Sequence, residues 1–251
     1  MNSPLYLLAA IGFPALTLIC ISAVLFALRY ALQRTDFAPQ KQNRIFYGTA
    51  FVLGGWITLV LILAANGTFS DFTSRPPKMM LFLPIPLIAL IIISRTRALK
   101  EILQHIPPKW TIAIQAFRLP VEIFLWALFI ENLIPVQMSF EGRNFDVLIG
   151  ISAPIIAYLY SRKNLSRTFA IAWNFFGLSL LLNIVVISML STPIPLRIFM
   201  NEPANTIVTQ FPFVLLPMVL VPLAYFMHVF SLRQLFALRR AENTVALDFK
   251  S

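Results

Sequence analysis

Long apolar runs, broken by short polar turns of which every second one is basic, constrain this chain more than any motif in it. Seven runs can be marked by length and by the charges between them, at roughly 4–32, 45–66, 79–96, 110–132, 146–161, 168–190 and 208–232. A helix rises 1.5 Å per residue, so about 20 residues cross the hydrocarbon core of a bilayer. The runs are continuous rather than alternating, which predicts helices and not a barrel.

The turns orient the bundle. The chain has 20 Lys and Arg residues. Fifteen fall in alternate turns or at the C-terminus: Arg29, Arg34, Lys41, Arg44, Arg95, Arg97, Lys100, Lys109, Arg162, Lys163, Arg167, Arg233, Arg239, Arg240 and Lys250. The opposite turns carry Arg75, Lys78, Arg143 and Arg197, and Arg118 alone sits within a span. The positive-inside rule then places the N-terminus outside and the C-terminus in the cytoplasm. The expected fold is all-α: a polytopic membrane protein with a seven-transmembrane-helix bundle over residues 1–240 and a short, mobile cytoplasmic tail over 241–251. In the third run the helical pattern continues past the span through 97–106, where Leu99, Ile102, Leu103 and Ile106 share a face until Pro107 and Pro108 end it. This amphipathic extension is expected along the cytoplasmic surface.

Composition agrees. The chain is 59% hydrophobic and 12% charged, against about 25% charged for soluble domains. A net charge of +10 held in turns at helix ends points to anionic lipids at the cytoplasmic face, not to nucleic acid. The one cysteine, Cys20, excludes an intrachain disulfide and a cysteine-based metal cluster. No basic residue precedes the first apolar run, so that run reads as an uncleaved span and not a signal peptide.

The fourth run, KWTIAIQAFRLPVEIFLWALFIEN, holds the main chemical candidate. Arg118 and Glu122 are four residues apart on one helical face, near mid-membrane. Such charges cost several kcal/mol each in lipid, so they must face protein or water, most simply each other or a second partner. Pro120 between them frees the Ala116 carbonyl and bends the helix. The plain alternative is a structural ion pair joining helices. Gln115, Asn174, Asn183 and Gln210 read as helix–helix hydrogen bonds, with Asn174 and Asn183 on opposite faces of one helix. The outer loops add Glu131, Glu141, Arg143, Asn144, Asp146 and Glu202, a set that suits a cation or a polar entrance. The competing reading is capping: Asn144 or Asp146 for the fifth helix, Asn205 or Thr209 for the seventh. His105 and His228 both map near the cytoplasmic boundary, which keeps haem or metal ligation as a remote alternative. No cofactor is expected.

Several activities drop out. There is no H-E-x-x-H, no Walker loop and no G-x-S-x-G. The topology matches that of retinal proteins, but no lysine lies between Val208 and Leu232 to form a Schiff base.

The segments FRLPVE, EGRNFDVLIG and FPFVLLP make the C-terminal half similar to multi-pass bacterial membrane proteins that carry no assigned function. That resemblance implies a bacterial inner-membrane location and no activity. The leading expectation is a protein that binds or transports a small molecule, lipid or ion through a polar site around Arg118 and Glu122. The alternatives are a non-catalytic subunit bound to a membrane partner and a membrane-embedded haem or metal enzyme.

Overall fold

The computed structural model describes residues 3–248, with side chains to Leu238. Every regular element among them is helical. In chain order these are α1 (Pro4–Leu32), α2 (Pro39–Ala65), α3 (Lys78–Phe82), α4 (Pro84–Ser94), α5 (Arg97–Gln104), α6 (Pro108–Ala113), α7 (Arg118–Ile130), α8 (Val147–Ser161), α9 (Arg167–Ser191) and α10 (Val221–Asp248). Local chemistry sets the starts. Pro4, Pro39, Pro84 and Pro108 occupy first-turn positions, where the missing N–H costs nothing. The Ser3, Thr96 and Ser166 hydroxyls accept from the amides of Tyr6, Leu99 and Phe169.

Among the described residues five helices are long and apolar enough to cross a membrane: Pro4–Leu32, Pro39–Ala65, Pro108–Ile130, Arg167–Ser191 and Leu216–Leu238. A sixth is added if Lys78–Ser94 and Arg97–Gln104, bent by 79°, count as one. The bend falls at Arg95 and Thr96, where the amphipathic extension turns away. The fifth apolar run forms α8, whose 15 residues span about 22 Å and do not reach across a ~30 Å core alone.

The surface is apolar and the centre polar. Ile11, Leu18 and Phe26 on α1, and Phe51, Val52 and Ile62 on α2, are exposed, whereas Gln115, Arg118, Glu122, Asn174 and His228 are buried. This inversion suits a lipid surround. The main core packs α1, α7, α9 and the segment leading into α10 around Phe13, Leu125, Leu181, Phe213 and Leu220. The basic turns share one end of the bundle: Leu32, Phe37, Ile102 and Ile106 cluster there, and Gln234 Nε2 donates to the Leu103 and Ile106 carbonyls at 2.8 and 2.7 Å.

The last helix starts later than the sequence pattern suggests. Residues Ile207–Thr209 form a 3₁₀ turn, Gln210 is extended, and a π-helical turn over Leu216–Leu220 leads into α10. Pro212, Pro217 and Pro222 remove donors along this stretch. The Met218 carbonyl, which Pro222 cannot serve, accepts instead from Trp56 Nε1 at 2.8 Å. At its other end α10 continues to Asp248, where a mobile tail is expected after Arg240. Lys250 and the side chains of Arg239 and Arg240 lie outside the described part.

Candidate functional site

The segment from Pro108 to Ile130 narrows to a 3₁₀ helix over Ile114–Phe117, just ahead of Arg118. Pro120 accounts for it: its ring nitrogen cannot donate to the Ala116 carbonyl and its ring crowds the preceding turn. Arg118 and Glu122, 2% and 1% exposed, follow on one face of α7 and turn to different partners.

Arg118 reaches Asp146, the N-cap residue of α8. Nε donates to Oδ2 at 3.1 Å and Nη2 pairs with Oδ1, a two-pronged ion pair. Nη1 donates to His228 Nε2 at 3.1 Å and to the Gly177 carbonyl at 3.4 Å. His228 Nδ1 lies 3.0 Å from Asn174 Oδ1, and Asn174 Nδ2 donates to the Ala170 carbonyl at 2.8 Å. These partners assign the ring. Asn174 offers an acceptor, so Nδ1 carries the hydrogen; Nε2 is then the lone pair that takes the guanidinium N–H.

Glu122 has a separate partner. Both its oxygens accept from Asn144 Nδ2, at 2.8 and 2.7 Å, and the same group donates to the Met138 carbonyl at 3.1 Å. Asn144 Oδ1 accepts from the Asp146 amide at 3.2 Å. The loop before α8 is therefore folded into the bundle, with Ile134, Gln137, Met138, Ser139 and Asn144 buried. Asp146 holds the N-cap position of α8 but makes no side-chain cap bond, because its carboxylate is turned to Arg118. Asn205 donates to Ser188 and Thr192 and Thr209 to the Thr206 carbonyl, so neither starts the last helix.

Two glycines allow this closeness. A Cβ on Gly150 would run into the Leu119 backbone, so glycine lets α8 lie against α7 and brings Asp146 within reach of Arg118. A Cβ on Gly177 would overlap the His228 ring at Cε1 and Nε2. Gln115 donates to the Ala224 carbonyl at 3.0 Å, and half-buried Tyr225 follows on the same helix.

Of the eight residues expected to bind a ligand, Arg118, Glu122, Asn144 and Asp146 converge. Glu131 ends α7, half-buried. Glu141 accepts from Trp126 Nε1 at 2.6 Å, and the Arg143 guanidinium stacks 5.3 Å from the Phe199 ring centroid. Glu202 pairs with Arg197 at 3.0 Å; that hydrogen bond, the Ala204 N–H and the charge of Arg197 hold its carboxyl below the usual range. Among the expected interhelical contacts, Asn183 reaches the Arg143 carbonyl at 2.9 Å, while Gln210 is exposed ahead of its helix. His228 is no boundary residue: it lies at the middle of Leu216–Leu238. His105 is half-buried beside Glu101, at 3.3 Å. Among the described residues no group of three or more His, Cys, Asp or Glu is placed to hold a metal ion.

Over the site, an open cleft of about 470 Å³ is lined by Val136, Gln137, Gly142, Arg143, Phe199 and Asn201. Gln137 and Asn201 face each other through reciprocal amide hydrogen bonds of 3.2 and 2.9 Å. Arg143 and Gly142 adjoin Asn144, so the cleft wall and the ligand of Glu122 are one strand of chain.

Residues 76–236 match the domain of unknown function DUF8737. The chain belongs to this family. The DUF8737 region holds every residue of the buried network and leaves out α1 and α2. No curated protein and no solved structure matches the chain.

Proposed function

We propose that this DUF8737 member is a bacterial inner-membrane protein, N-terminus outside and C-terminus cytoplasmic, that binds or transports a small polar solute in exchange for a proton or cation at Glu122. The chain crosses seven times, the fifth crossing being made by the inserted loop 131–146 together with α8. The observation that carries the reading is the charge count of the buried network. Two carboxylates, Asp146 and Glu122, share one guanidinium; Asp146 takes it with both oxygens, and Glu122 is left with one carboxamide. An unbalanced charge at that depth costs several kcal/mol, and a proton or cation on Glu122 removes it. Arg118 is hydrogen-bonded through Nε and Nη1 and ion-paired to Asp146 through Nη2, so it serves as the fixed counter-charge and Glu122 as the exchangeable one. The solute site is the cleft of Arg143, Asn201 and Gln137, where a cation and carboxamides suit an anionic or amide-bearing molecule.

The test is a vesicle assay with a pH-sensitive dye inside, adding small organic anions, amides and alkali cations in turn. Wild type should give a pH change with one solute class, and E122Q, folded by gel filtration, should lose it. Equal proton movement in E122Q, or none in wild type with any class, contradicts the proposal. Impermeant maleimide labelling of K163C and E202C on a C20A background checks orientation: only E202C should label from outside.

A further inference from the structure

At the end of the bundle that carries the basic turns, α6, α8, α9 and the last described side chain of α10 leave a second cleft, about 600 Å³ in volume. Its lining divides by chemistry. Lys109 at the start of α6 meets Lys163 and Arg167, which flank the short turn between α8 and α9. Pro107, Pro108, Leu165 and Leu238 give it an apolar side, and Tyr160 and Ser161 supply hydroxyls between the two. Among the described residues no carboxylate lines it, and neither Lys109 nor Lys163 has an ion-pair partner there. It opens where α8 ends and α9 begins.

Two lysines beside an apolar wall, at the mouth of a gap between helices, complement a phosphodiester carrying acyl chains. We propose that this cleft is a binding site for one anionic phospholipid. The phosphate sits between Lys109 and Lys163, the glycerol end meets the Ser161 and Tyr160 hydroxyls, and the first acyl carbons lie along Leu165 and Leu238. A zwitterionic lipid is disfavoured because its choline would enter the same cationic field. The site is separate from the Glu122 network and needs only that the chain be embedded in a membrane.

Native mass spectrometry of the full chain, released from micelles containing phosphatidylglycerol and phosphatidylcholine in equal amounts, tests this. Wild type should retain one phosphatidylglycerol in preference to phosphatidylcholine. K109A/K163A should lose that preference by roughly tenfold or more, since each cation near an anionic lipid contributes on the order of a factor of five. K41A/R44A removes the same charge from the start of α2 and should keep it. Equal loss in both double variants would reduce the effect to the general charge of this face and overturn the site. So would an unchanged preference in K109A/K163A, or displacement of the lipid by inorganic phosphate at matched concentration. Flotation of the protein with vesicles, measured alongside, tests the membrane reading by itself.

Discussion

Arg118 gives its N–H groups to Asp146, His228 and the Gly177 carbonyl, so its removal strands a buried carboxylate. Arg118→Ala should cost ~3–5 kcal/mol in thermal unfolding, and Arg118→Ala with Asp146→Asn clearly less than the two single losses summed, because the double change deletes both charges. A second expectation concerns the exposed Glu202. Its carboxyl is held below the usual range by the Arg197 side chain and the Ala204 amide. A group depressed in the folded state stabilises above its unfolded pKa and loses that contribution as pH falls through the folded value. The segment around Arg197–Ala204 should therefore stay ordered at neutral pH and loosen below the ordinary Glu range, near ~4.3. Hydrogen exchange corrected for intrinsic rate, in wild type and E202Q, checks it; a pH dependence surviving in E202Q contradicts it. Arg118 and Glu122 were legible in the sequence because charge in an apolar run is conspicuous. Their partners were not. Four-residue spacing allows an Arg–Glu pair, but nothing local tells Arg118 to prefer Asp146, 28 residues on, or His228, 110 residues on.

Helix starts that rest on a Pro at the first turn or a Ser cap could be read directly, as for α1 and α9. The start of the last helix could not. Its apolar pattern begins near Val208, but Pro212, Pro217 and Pro222 delay regular helix until residue 221. That shift moves His228 from an apparent boundary to the middle of the bundle, which is why its role was missed. α8 reads as a span from its apolar run and the charges beside it, whereas its length and the buried loop before it set Asp146 against Arg118 near the middle of Pro108–Ile130. The contact that allows this is Gly150 on the Leu119 backbone. Gly150→Val should push α8 from α7 and cost ~1–3 kcal/mol or more by overpacking. Its cost should fall in an Arg118→Met, Asp146→Leu background, where no ion pair remains to be stretched. Equal cost in both backgrounds would mean that Gly150 matters for packing alone.

For the whole molecule, the alternation of charge in the turns is matched by basic turns gathered at one end of the bundle, and the exposed apolar helix faces fit lipid. A central network, a cleft over it and a basic cleft at the far end divide the molecule by depth. The account rests on Glu122 carrying the exchangeable charge. Difference infrared spectroscopy of the protein in membranes, stepped through pH, reads that group directly. A protonated-carboxyl C=O band that changes with pH in wild type and is absent from the same difference spectrum of E122Q is the predicted result. A spectrum in which E122Q retains every carboxyl change of the wild type would contradict it.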